Sequence, residues 1–163
     1  MNNLKTIKIN LFKKENLVHL SLIFIIFILD RITKNYVIKE LSDRNYFFND
    51  YINFDLIWNT GIGFGILSTD SIFVYNLITI FIGLVLLLLL WIWLTSDRFD
   101  KYIFSLIIGG AIGNFYDRLT LKAVPDFIDF HYNHFHWFTF NIADIFISIG
   151  IIFFMIRGLF VKN

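Results

Sequence analysis

Between Ser71 and Ser96 no residue carries a charge, and Ile72–Leu94 is almost wholly aliphatic and aromatic, with the unbroken run Leu84–Trp93 inside it. A bilayer core about 30 Å thick is crossed by about 20 helical residues, so this segment alone restricts the chain to membrane architectures. Three further stretches approach that length. Together the four predict helices over about 17–38, 72–94, 102–118 and 137–157. The first is apolar through Leu29 and then polar at Asp30, Arg31 and Lys34. The third is short in its apolar run, Tyr102–Tyr116. The fourth carries Asn141 and Asp144 in its first third.

Composition agrees with that restriction. Of 163 residues, 57% are hydrophobic and only 17% charged, against about 45–50% and 25% in soluble domains. With one Pro and nine Gly there is no linker composition, so residues 1–163 read as a single domain. The absence of Cys excludes disulfides and thiolate metal sites. A net charge of +1 argues against nucleic acid as a partner. Lysines precede the first apolar run, as in a signal peptide. No small-residue cleavage site follows it, so a retained helix is expected.

With four crossings both termini share one side. That side carries Lys5, Lys8, Lys13, Lys14, Arg98, Lys101, Arg157 and Lys162, which places it in the cytoplasm by the positive-inside rule. Residues 39–71 and 117–136 then form the two outer loops. Tyr46-Phe47-Phe48 and Phe54–Trp58 have strand-like content, rich in aromatic and branched residues.

Charged groups within a span cost about 2.5–3.5 kcal/mol each near a helix centre. Arg31 and Lys34 are close enough to the interface to snorkel. Asp30 lies four residues before Lys34, which fits either an ion pair on one helix face or a functional carboxylate. Asn141, Asp144 and Ser148 share a face of the fourth helix that must point into the bundle, as interhelical glue or as a site. Gly109 and Gly113 form a stripe for close helix approach, and it runs directly into Asn114, Asp117 and Arg118. Asp126 precedes Asp144 by a loop long enough to fold back over the fourth helix. Two carboxylates in one dry site share a proton and so activate water.

Two loop motifs remain open at this level. Asn59-Thr60-Gly61-Ile62-Gly63-Phe64-Gly65 is either a flexible turn or exposed backbone to which a peptide adds as a strand. His131, His134 and His136, with Asp129 nearby, are either a metal cluster or part of an interfacial aromatic belt beside Tyr132, Phe135 and Trp137. Their spacing matches no helical ligand pair.

Taken together, Asp30–Lys34, Asn59–Gly65, Gly109–Arg118, Val124–Phe127 and Phe140–Asp144 resemble the lipoprotein signal peptidase (signal peptidase II) family. The resemblance implies an all-α membrane protein of four transmembrane helices with a small extracytoplasmic β-rich cradle between helices 1 and 2. It implies an aspartic endopeptidase with Asp126 and Asp144 as catalytic dyad and no cofactor or metal. Asp30, Lys34, Asn59, Gly61, Asn114, Asp117, Arg118 and Asn141 would bind substrate or support the site. The implied partners are diacylglyceryl-prolipoproteins, cut just before the lipidated Cys, and membrane lipid. The enzyme would be a monomer in the bacterial cytoplasmic membrane, working near the outer face. Pro125 departs from the aliphatic residue usual there, as does the His-rich stretch after it. The rival reading is a small proton- or ion-translocating protein using Asp30, Asp117 and Asp144 as a relay.

Overall fold

The computed structural model describes residues 14–42, 46–62, 68–133 and 135–160. Lys5, Lys8, Lys13, Gly63, Phe64, Gly65, His134 and Lys162, all invoked above, lie outside them. In chain order the elements are α1 (Lys14–Glu40), β1 (Tyr46–Phe47), β2 (Ile52–Asn59), α2 (Ile72–Thr95), α3 (Arg98–Thr120), β3 (Val124–Tyr132), β4 (Phe135–Phe140) and α4 (Ile142–Phe160). Among the described residues, three helical stretches are long and apolar enough to cross a bilayer: Asn16–Glu40, Ile72–Thr95 and Ile142–Phe160. Their outward faces are large apolar side chains such as Phe24, Ile72, Phe73, Leu87 and Phe153, as expected where lipid replaces water.

α3 differs, carrying charges at both ends, and it is the helix on which the others pack. The side chain of Asp97 accepts from the Asp100 N–H at 2.9 Å and starts it four residues earlier than expected. Its glycines set how closely the neighbours approach. A Cβ at Gly109 would stand 2.9 Å from Ile26 Cβ on α1, and one at Gly113 would strike the Asp30 carboxylate. Gly110 faces α4 instead, where a Cβ would meet the Ala143 carbonyl oxygen. Ile23, Leu86, Trp93, Ile103, Phe104, Ile107 and Ile108 fill the centre.

The four strands form one antiparallel sheet in the order β1-β2-β3-β4. This corrects two expectations. The β-rich part is not confined to the segment between helices 1 and 2, because half of it comes from the loop between α3 and α4. The fourth helix does not begin near residue 137 either. Trp137–Phe140 pair with β3 (Ile128↔Phe140, Phe130↔Phe138), since a run of aromatics with one Thr favours a pleated strand. Helix formation waits for the Asn141 cap, and Asp144 therefore lies in the first turn of α4 rather than deep within it.

The two ends of the bundle are chemically distinct. At one end Arg157 reaches Asp97 at 2.6 Å, Lys101 donates to Asn16 Oδ1 at 2.9 Å, and His19 Nε2 lies 3.3 Å from the Arg98 carbonyl. At the other end sit the sheet and most of the buried polar side chains.

Candidate active site

β2 and β3 bring the two outer loops together. Ile57 pairs with Asp126 and Asn59 with Val124, so Asn59 sits beside the Asp126 carboxylate and donates to its Oδ2 at 2.8 Å. Asn141 donates to the other oxygen at 2.5 Å. Only 2% of Asp126 is exposed. Burial first, and then the Asp144 carboxylate, push Asp126 up to about 7, against the hydrogen bonds from Asn59 and Asn141 and the charge of Lys34.

Asp144 is held by the start of its own helix. Asn141 Oδ1 accepts from the Asp144 N–H, and Asp144 Oδ2 accepts from the Asn141 N–H, each at 3.1 Å. This is a capping box, in which cap and third residue satisfy one another's donors. The second Asp144 oxygen accepts from Asn114 Nδ2 at 2.8 Å. Asn141 therefore spans both carboxylates, with its side-chain amide on Asp126 and its backbone N–H on Asp144. Among the described residues, neither acid has a cation in hydrogen-bond contact.

Beyond Asn114 lies a buried ion cluster. Lys34 donates to Asn114 Oδ1 and to Asp117, each at 2.7 Å, and lies 3.0 Å from Asp30. Arg31 bonds both Asp117 oxygens and, at 2.7 Å, Asp30. Two acids thus face two bases. Lys34 is 0% exposed, so it does not snorkel, because three acceptors inside the bundle outcompete the interface. Asp30 also accepts from the Ala143 N–H at 3.3 Å, tying α1 to the start of α4. Sequence reasoning left Arg31 out of the site. Its adjacency to Asp30, with Asp117 unpaired on another helix, was the signal.

Arg118 is turned inward, donating to the Gly61 carbonyl at 2.6 Å and to the Asn114 carbonyl at 3.2 Å. Gly61 N–H in turn donates to Asn59 Oδ1 at 2.8 Å. The glycine turn, the strand carrying Asn59 and the end of α3 are thus one network. A cavity of about 570 Å³ opens against it, bordered by Ile62, Asn114, Arg118, Asp144 and Ser148 and otherwise by apolar side chains of α2, α3 and α4. Asp129, His131 and His136 come together on the sheet, away from the hydrogen-bond partners of Asp126. No described residue of the site proper offers a soft metal ligand.

A pair of buried carboxylates on a strand and a helix start, beside helices long and apolar enough to cross a bilayer, marks the class: a membrane protein with a buried acidic site. The family model for signal peptidase (SPase) II matches residues 22–160. The lipoprotein signal peptidase of Pelagibacter ubique (strain HTCC1062) is 46% identical over 159 residues, covering 96% of this chain and 95% of its own length. That of Aquifex aeolicus (strain VF5) is 39% identical, covering 94% and 92%. A solved bacterial membrane enzyme, obtained by the in meso method at 1.9 Å, superposes with a TM-score of 0.71 at 27% identity over 89% of this chain and 94% of that one. This chain belongs to the signal peptidase II family. It is a membrane protease.

Proposed function

We propose that the chain removes signal peptides from diacylglyceryl-modified prolipoproteins, cutting just before the lipidated Cys, with Asp126 and Asp144 as its catalytic dyad. One observation carries this reading. Two buried carboxylates share the bridging residue Asn141, and one of them is held near neutrality by burial and by the other. A relay for ions has no such support, since Asp30 and Asp117 are neutralised by Arg31 and Lys34.

With one proton on the pair, the ionised carboxylate takes a proton from water as its oxygen attacks the scissile carbonyl. The protonated carboxyl gives its proton to the carbonyl oxygen. Collapse of the resulting diol breaks the C–N bond, and the nitrogen leaves with a proton as the new amino terminus of Cys. Asn59, Asn114 and Asn141 orient the acids without charging them. Arg118 and Gly61 hold the turn beside the scissile segment. The apolar cavity at Asp144 takes the apolar part of the precursor. No metal or other cofactor takes part.

The fold supports a fourth crossing by α3, because its inner charges are paired within the bundle. Both termini then lie in the cytoplasm, with Arg98, Lys101 and Arg157 at that end. The sheet and dyad lie at the outer face, against membrane lipid, in a monomer. The chain has no Cys, so single substitutions report sidedness. Asn133→Cys should react with an impermeant thiol reagent in sealed cells, and Ser96→Cys should not. The reverse pattern would overturn the orientation. The function is tested by purified protein on a lipidated precursor peptide. Cleavage before the lipidated Cys, lost in Asp126→Asn and Asp144→Asn, is expected. Cleavage unaffected by either change would overturn the dyad.

A further inference from the structure

On the sheet, three residues outside the hydrolytic network converge. Asp129 and His131 lie two positions apart on β3, so the pleat turns them to one face. A register shift after Phe130 sets His131 opposite His136 on β4. The two imidazole rings stack with centroids 5.3 Å apart, and both Nδ1 atoms approach one carboxylate oxygen. His136 Nδ1 is 2.7 Å from Asp129 Oδ2 and His131 Nδ1 is 3.5 Å from it. Each residue offers one ligand atom, all within 4.8 Å of one another.

Burial makes the arrangement unusual for a surface pair. Asp129 is 4% and His131 5% exposed, and His131 Nδ1 has no hydrogen-bond partner among the described residues. A buried nitrogen without a partner is costly, about 1–3 kcal/mol. Ligands about 2.0–2.1 Å from a tetrahedral zinc ion stand about 3.3 Å apart, and the separations here bracket that value. The His136 side chain is 60% exposed, which leaves an entry path and room for a water as fourth ligand.

We propose that Asp129, His131 and His136 bind a divalent transition-metal ion of the zinc type, which clasps β3 to β4. Two imidazoles and one carboxylate suit such an ion better than calcium or magnesium, which take oxygen ligands. Asp129 lies three positions after Asp126 but shares none of its hydrogen-bond partners, so the ion holds the hairpin and takes no part in hydrolysis.

The test uses the full chain, free of any histidine tag, in detergent micelles. After exposure to zinc and gel filtration, about one ion per chain should remain, with cobalt giving the intense visible bands of a four-coordinate site. His136→Ala touches an exposed side chain and keeps the fold, and it should weaken binding at least about tenfold, as should Asp129→Asn. Zinc should raise the thermal midpoint of the native chain and leave that of His136→Ala unmoved. Retention below a tenth of an ion per chain, or unchanged affinity in His136→Ala, would overturn the proposal. Cleavage is read separately, so a failed dyad and a failed metal site give different results.

Discussion

Two pairs of buried carboxylates in this protein are linked through Lys34 and Asn114, and they are built in opposite ways. Asp30 and Asp117 face Arg31 and Lys34, so that two negative charges meet two positive ones. Asp126 and Asp144 face the amides of Asn59, Asn114 and Asn141. Cations favour ionised acids, which then serve as fixed braces. Neutral donors leave a buried pair with one proton to share. On the proposed reading, the choice of partner in a dry site decides whether a carboxylate supports structure or does chemistry.

The sharpest way to break that contrast is to neutralise one acid of each pair. Asp126→Asn and Asp144→Asn should each lower cleavage by several orders of magnitude, without lowering the thermal midpoint. The double change should cost little more than either alone, because the two act as a unit. Asp117→Asn should do the reverse, unbalancing Arg31 and Lys34 and destabilising the fold by about 3–5 kcal/mol. If Asp117→Asn folds normally but cannot cleave, the division into brace and dyad fails.

Charge balance gives the next test. Lys34→Met leaves two acids with Arg31 alone and should lower the unfolding midpoint by a shift matching about 3 kcal/mol. Adding Asp117→Asn restores neutrality and should recover part of it. No recovery would mean that geometry, and not balance, holds the cluster.

A smaller effect follows from pH. Asp126 is raised from its ordinary value near 3.8 to about 7. Its contribution to stability is therefore complete below the unfolded value, declines as pH rises and is gone above about 7. Asp126→Asn should flatten the stability profile across that window. Cleavage should fall on its alkaline side near neutrality, with a midpoint that belongs to the pair. The least effect is expected at the other end of the bundle, where Arg157→Ala removes partly exposed pairs with Asp97 and Asp100, each worth at most about 1 kcal/mol.

The sequence made the acids and amides legible but not their allegiances. Asn114 and Asn141 stood out as polar groups among apolar runs, Asp126 and Asp144 as carboxylates one fold-back apart, and Asn59 only through the glycine motif and the family resemblance. Lys34 was noticed but assigned to the interface, because its long side chain fits an interface as well as an interior, and only the position of Asp117 on another helix decides. Phe135–Phe140 misled for a different reason. An aromatic run is as hydrophobic in a strand as in a helix, and the partner strand that settles it lies elsewhere in the chain. The pairing of β2 with β3 was likewise invisible, though it positions Asn59 on Asp126.

The capping box at Asn141 has a consequence for synthesis. Asn59 is translated early, Asn114 and Asp126 later, and Asp144 only with the last helix. The bonds that begin that helix are also the bonds that orient the dyad. On the proposed reading, a nascent chain that lacks α4 lacks one of the two carboxylates, and the centre assembles only when α4 is in place. The order of the chain thus delays assembly of the proposed centre until α4 is made.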